Sequence, residues 1–264
     1  MFEIFKEPFM QSALAAGIMI GILTGFYGVF VVQRSLSFLG NGLAYAAFSG
    51  IALALLLGQE PIWVSLPFTI LVALGIIWLQ DRTKLSADTA IGIFFAVSMA
   101  LGVVFISMAH TYSVDSFNYL FGSILTVNNT DLIVTAVLLL ASVLMWPLWG
   151  RWAYSTFDRE LALADRVPVK RYDYILSILI AVTVVVATKI VGVVLIASFL
   201  VIPAATARLV SKSFTSMTVI SILLGVITTF AGLMISYWVD MPSGAMMILA
   251  QAILFFIAML FQRK

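Results

Sequence analysis

Residues 31–58 read "VVQRSLSFLGNGLAYAAFSGIALALLLG". Its uncharged part, 38–57, is long enough as a helix to cross most of the roughly 30 Å of hydrocarbon in a bilayer. Within that run Asn41 and Tyr45 place an amide and a phenol four residues apart. An i, i+4 pair shares one face of a helix, so both groups point together into a bundle interior. Around them Gly40, Gly42, Ala44, Ala46, Ala47, Ser49 and Gly50 form a run of small residues that lets helices or a substrate approach closely. Two readings fit: packing, with two polar side chains as interhelical glue, or a substrate path lined by Asn41, Tyr45 and Ser49.

The rest of the chain belongs to the same solvent. Of 264 residues, 63% are hydrophobic and 10% charged, with a mean hydropathy of +1.15, which leaves too little polar surface to cover a water-soluble globule. The expectation is an all-α polytopic membrane protein with about nine transmembrane helices, at 10–33, 38–57, 62–80, 89–108, 130–149, 172–190, 191–207, 215–236 and 243–261. Residues 116–127 are apolar but too short to cross, and read as a short re-entrant or interfacial segment. Alternating ten-residue segments, the mark of a membrane β-barrel, are not apparent. With no cysteine, disulfides and thiolate metal sites are excluded. The opening "MFEIFKEPFM" mixes acids with one lysine ahead of any apolar core, so the first span is expected both to target the chain and to stay.

Nine spans put the termini on opposite sides. One set of loops holds twelve basic residues: Arg34, Arg82, Lys84, Arg151, Arg159, Arg166, Lys170, Arg171, Arg208, Lys212, Arg263 and Lys264; the other holds only Lys6 and Lys189. Positive charge stays inside, so the C-terminus is expected in the cytoplasm and the N-terminus outside. The twelve acids divide evenly, six per side, and two basic against six acidic residues leave the outer loops at minus four. Such a rim attracts cations or docks another protein.

The longest cytoplasmic loop, "GRWAYSTFDRELALADRVPVKRYDY" (150–174), contains a short helical stretch from Asp158 to Asp165, with Leu161 and Leu163 among charges and Pro168 ending it. Contact with a motor domain and a position along the lipid surface both suit such a helix. No G-x-x-x-x-G-K-[ST] loop occurs, so any ATP hydrolysis comes from a separate subunit. His110, the only histidine, lies at the outer end of the fourth span, which excludes a relay of several histidines. Asp115, Asp131 and Asp240 also fall at outer ends, where a carboxylate needs no special role, and Lys189 is expected to snorkel toward headgroups. Pro203 falls within the seventh span and is expected to bend it. With no paired acids inside the spans, no catalytic constellation is visible.

Several stretches, taken in order, carry a resemblance: 31–58 above, "GIFFAVSMALGVVFIS" (92–107), "VDSFNYLFGSILTV" (114–127), "DRELALADRVPVKR" (158–171), "KIVGVVLIASFLVIPAATARL" (189–209) and "VDMPSGAMMILAQAILFF" (239–256). Together they resemble the membrane permease subunit of the zinc/manganese/iron ABC importer family, over nearly the whole chain. The resemblance implies a single transmembrane permease domain spanning 1–264 in a prokaryotic inner membrane, with an architecture related to cobalamin and iron-chelate permeases. It implies a homodimer with the path at its axis, two cytoplasmic ATPase subunits that hold ATP and magnesium, an extracytoplasmic solute-binding protein, and no nucleic-acid partner. The permease itself is implied to be no enzyme and to need no cofactor. Asp158, Glu160, Leu161, Asp165 and Pro168 then belong to the coupling helix (about 158–168). Asn41, Tyr45 and Ser49 belong to the substrate path, His110, Asp115 and Asp240 to the outer mouth, and Pro203 to a gating bend.

One departure stands out. Metal-importing relatives usually carry glycine, aspartate, two or three small or apolar residues, then histidine on the second helix; here Asn41 takes the aspartate position and Tyr45 the histidine position. An amide and a phenol are poor ligands for zinc or manganese. Three readings follow: a manganese, zinc or iron importer working by alternating access with a weak-ligand path, an importer of a metal chelate or other small solute, and a membrane scaffold that has lost transport.

Overall fold

The computed structural model describes residues 8–83, 85–109, 122 and 128–260. The described residues are helical throughout, with no strand: α1 (Pro8–Gln33), α2 (Leu39–Leu57), α3 (Pro61–Arg82), α4 (Ala87–Ala109), α5 (Asn129–Leu144), α6 (Trp149–Phe157), α7 (Arg159–Ala164), α8 (Val169–Val191), α9 (Ile196–Val210), α10 (Phe214–Val239) and α11 (Ser243–Leu260). In lipid every backbone polar group must be satisfied within the segment, which is why apolar runs become helices.

Seven of these, α1 to α4, α8, α10 and α11, are long and apolar enough to cross a membrane. The expected count of nine is therefore not reached on length. An eighth crossing exists if α5 and α6 are one span bent by 48°. Pro147 lies in the 3-10 turn Trp146–Leu148 between them, where a missing N–H favours a break. The helix after the break is one-sided: Trp152 and Ser155 are buried while Gly150, Arg151 and Phe157 are exposed. Trp146 and Trp149 stack at 6.1 Å beside the break, as aromatic residues do at a membrane interface. The ninth segment, expected at 191–207, is α9, only 15 residues and so about 22 Å long. Gly192, at φ 93°, ends α8, and the turn to Leu195 takes up residues assigned to the span. The re-entrant segment expected at 116–127 lies outside the described residues except for Gly122. That glycine has φ 76°, and a Cβ on it would stand 2.3 Å from the carbonyl oxygen of Ile190.

Local signals set the element ends. Gly58 closes α2 in the left-handed region, φ 63°, and the N–H groups of Gly58 and Gln59 bond to Leu55 and Ala54 carbonyls, the paired bonds of a Schellman stop. Pro61 then opens α3, where its missing N–H is harmless.

Gly17, Gly21 and Gly25, at every fourth position of α1, allow a close seam with α10. A Cβ on Gly25 would lie 2.7 Å from Ile222 Cα, and one on Gly225 would lie 2.4 Å from Gly21 O, so α1 and α10 touch backbone to backbone. Ser221 Oγ donates to Gly25 O at 2.7 Å within this seam. Gly225→Val is expected to force the helices apart and cost about 1–3 kcal/mol, read as a lower thermal midpoint of the detergent-solubilised protein. An unchanged midpoint would show that the seam yields freely.

α8, like α1 and α2, is mostly buried within the bundle. It carries one buried ion pair near each end. Asp173 and Lys189 are sixteen residues apart, about 24 Å along the axis.

Candidate functional site

Asn41 and Tyr45 lie on one face of α2, both half-buried. The small residues around them face helices on three sides. A Cβ on Gly40 would meet Ala197 Cα of α9 at 2.9 Å, one on Gly42 the Ile91 side chain of α4 at 2.9 Å, and one on Gly50 Ser65 Cα of α3 at 2.5 Å. Ser49 is fully buried, and its hydroxyl is committed to the carbonyls of Tyr45, at 3.0 Å, and of Ser98 on α4. It ties α2 to α4 and thus stands apart from the other two. The Tyr45 ring meets Phe95 of α4 edge to face, centroids 4.8 Å apart, with Phe48 at 6.5 Å. Neither the Asn41 amide nor the Tyr45 hydroxyl hydrogen-bonds within the described residues. A half-exposed amide offers an acceptor and two donors, and a phenol one of each, on an otherwise apolar helix. No group of three His, Asp or Glu that could hold a metal ion occurs among the described residues.

His110 and Asp115 lie outside the described residues. Asp240 is exposed and caps α10 in the left-handed conformation, φ 54°. Pro203 is buried in α9, which continues unbroken from Ile196 to Val210.

The sequence-predicted coupling helix is α7. Asp158 caps it by accepting from Leu161 N–H at 2.8 Å, and Asp165 closes it. Glu160 and Leu161 point to solvent, Leu161 about half exposed, while Ala162 is fully buried against the bundle. Pro168 precedes α8 as its N-cap residue. Tyr154 Oη donates to Asp165 Oδ2 at 2.5 Å, and this carboxylate pushes the phenol pKa up to about 12, so the proton stays on Tyr154 at neutral pH.

Two charge clusters are invisible in the sequence. Near the N-terminal end of α8 Asp173 binds two guanidinium groups at once: Arg34 Nη1 at 2.6 Å on Oδ1 and Arg159 Nη1 at 2.7 Å on Oδ2. Arg34 also donates to Thr156 Oγ1 at 2.9 Å and Ser155 Oγ at 3.3 Å on α6. A cavity of about 280 Å³ adjoins this triad, lined by polar groups such as Gln80, Asp81, Thr156 and Ser177 and by apolar ones such as Leu39 and Ile76. The only sequence signal was an acid inside a basic run, "KRYDY". At the opposite end Lys189 Nζ bonds Asp131 Oδ2 at 2.8 Å, both side chains about nine-tenths buried. This corrects two expectations: Lys189 does not snorkel, and Asp131 is not an idle surface acid. Asp131 also accepts from Asn128 N–H at 2.9 Å, capping α5. Two charges removed from water pair because neither can stay there alone.

The ABC 3 transport family model matches residues 6–262. The chain is 34% identical over 262 residues to the manganese transport system membrane protein MntC of Listeria monocytogenes, covering 99% of this chain and 93% of that one. It is 35% identical over 266 residues to the high-affinity zinc uptake system membrane protein ZnuB of Haemophilus influenzae, covering 100% and 99%. The structure of PsaBC from Streptococcus pneumoniae in complex with Fab matches with a TM-score of 0.85 at 34% identity, over 96% of this chain and 91% of that one. A structure described as an inward-facing conformation of a metal-chelate type ABC transporter matches with a TM-score of 0.73 at 20% identity, a likeness of fold alone. Matched from end to end in both sequence and fold, the chain belongs to the ABC 3 transport family.

Proposed function

We propose that this chain is the membrane permease of an ATP-binding-cassette importer that brings a divalent transition metal, manganese, zinc or iron, into the cytoplasm by alternating access. The observation that carries the reading is the α2 face: an amide and a phenol, half-buried and without hydrogen-bond partners among the described residues, on a helix packed by α3, α4 and α9. End-to-end similarity to manganese and zinc permeases supports a metal as cargo. Two copies of the chain pair with the Asn41/Tyr45 faces at the path, and Ser49 holds each α2 in place. Two ATPase subunits, which hold ATP and magnesium, seat on Glu160, Leu161 and the exposed side of α7. A solute-binding protein delivers cargo at the outer mouth, near His110, Asp115 and Asp240. In this orientation the N-terminus is outside and the C-terminus in the cytoplasm. Bending at Pro203 lets α9 follow α2 during the cycle.

The test is uptake into proteoliposomes that contain the permease, its ATPase and its binding protein, offered Mn²⁺, Zn²⁺ or Fe²⁺, each free or chelated. ATP-dependent accumulation of a free ion is expected. The loss of both a carboxylate and an imidazole at positions 41 and 45 favours one second reading, a chelated metal as cargo. Uptake restricted to chelated forms would replace the first reading with that one, and no uptake of either would reject both.

A further inference from the structure

The two ion clusters at the ends of α8 differ in their access to water, and this difference assigns them different work. Among the described residues Lys189 and Asp131 line a space of about 10 Å³, enough for one water at most. Parting that pair would leave two nine-tenths-buried charges little water to take, which suits a staple between α5 and α8. The Arg34–Asp173–Arg159 triad lines a cavity of about 280 Å³ whose wall is mixed, with Gln80, Asp81, Thr156 and Ser177 beside Leu39 and Ile76. Water in that space can take over from a broken ion pair, so these contacts can open and close without stranding a charge.

The triad also sits where movement has to pass. Arg159 is the first residue of α7, the coupling helix. Arg34 follows α1 directly and precedes the short turn into α2, the helix that carries Asn41 and Tyr45. Asp173 holds one with each carboxylate oxygen. Arg159 is half exposed while Arg34 and Asp173 are largely buried, so the arm that reaches the surface is the one on the coupling helix. A displacement of α7 pulls on Asp173, and Asp173 pulls on the root of α2.

We propose that Asp173 is a positioning residue that couples the cytoplasmic helix α7 to the path helix α2, and that its contact with Arg34 or Arg159 breaks and re-forms during each transport cycle. The inference rests on the permease reading above. It adds a residue and a switch that lie outside the path and away from the exposed face of α7.

Two measurements test it on the reconstituted permease–ATPase–binding-protein complex. Asp173→Asn keeps the shape of the side chain and removes its charge. The complex should assemble and hydrolyse ATP without cargo within about twofold of wild type, while metal uptake per ATP falls about tenfold, the scale of one lost charge-assisted bond. The chain has no cysteine, so Ser177→Cys supplies a single thiol in the cavity. Its rate of labelling by a water-soluble maleimide should change between nucleotide-free and vanadate-trapped complexes, and Asp173→Asn should abolish that change. A purely structural aspartate would give a lower thermal midpoint with uptake per ATP intact in the folded fraction. That result, or labelling indifferent to nucleotide in the Ser177→Cys complex, overturns the proposal. Failure of the permease reading looks different, because the wild-type complex itself would then move no metal.

Discussion

Lys189→Met is expected to destabilise the permease by about 3–5 kcal/mol, because it leaves the Asp131 carboxylate buried beside no counter-charge. Asp131 is 5% exposed and Lys189 9% exposed, so solvent takes over from neither partner. The same carboxylate oxygen accepts from Lys189 and from the Asn128 N–H that starts α5, so losing the ammonium also disturbs a helix cap. Methionine fills the aliphatic volume of lysine, which confines the effect to charge. Combining it with Asp131→Asn should recover most of the loss, since an amide is cheaper to bury than a carboxylate and still accepts from Asn128. The check is the temperature of half-unfolding in detergent for both single variants and the double variant, at low and high salt. A buried pair gives a salt-independent difference; a snorkelling lysine gives almost none. Equal midpoints for wild type and Lys189→Met would mean that the pair opens to water in the membrane.

The contrast between what was and was not legible in the sequence follows the range of the forces involved. Hydrophobicity acts residue by residue against the bilayer, so α1 to α4, α8, α10 and α11 stand where apolar runs stand. Length alone misjudged α9, because a helix enclosed by α1, α2, α10 and α11 need not match the bilayer thickness. The Asn41/Tyr45 face was readable because i, i+4 geometry is local. Ser49 was not: its tie to Ser98 joins residues 49 apart, and nothing in α2 distinguishes it from a path residue. Lys189 shows the limit most clearly. A lysine at a span end has the same sequence context whether it reaches headgroups or an aspartate 58 residues away. Arg34 and Asp173 are 139 residues apart, and only the fold brings them together. The close approach of Gly21 and Gly225 likewise joins two distant stretches of sequence, and only the fold sets one opposite the other.

Asn41→Asp combined with Tyr45→His is expected to raise divalent-cation affinity at α2 by about tenfold to a hundredfold, which is roughly 1.4 to 2.8 kcal/mol. The change places a carboxylate and an imidazole one turn apart, ligand types that manganese, zinc and iron prefer to an amide and a phenol. Both positions are half-buried and their polar ends bond nothing among the described residues, so new ligands there are free to turn toward an ion. Part of the cost falls on packing, since Tyr45 leans edge-on against Phe95 at 4.8 Å. Tyr45→Phe separates the two contributions: it keeps the ring contact and removes only the hydroxyl. Equilibrium dialysis of the solubilised permease against Mn²⁺ and Zn²⁺, with bound metal determined by elemental analysis, reads affinity; proteoliposome uptake reads consequence. Tighter binding should slow release, so the double variant should bind more metal and move less, because conduction requires that an ion leave as readily as it enters. If binding and uptake both match wild type, Asn41 and Tyr45 are packing residues and the path lies elsewhere. If binding rises while uptake of a chelated cargo collapses, the native amide and phenol serve the larger solute, and the exchange at these two positions is what separates this permease from its metal-ion relatives.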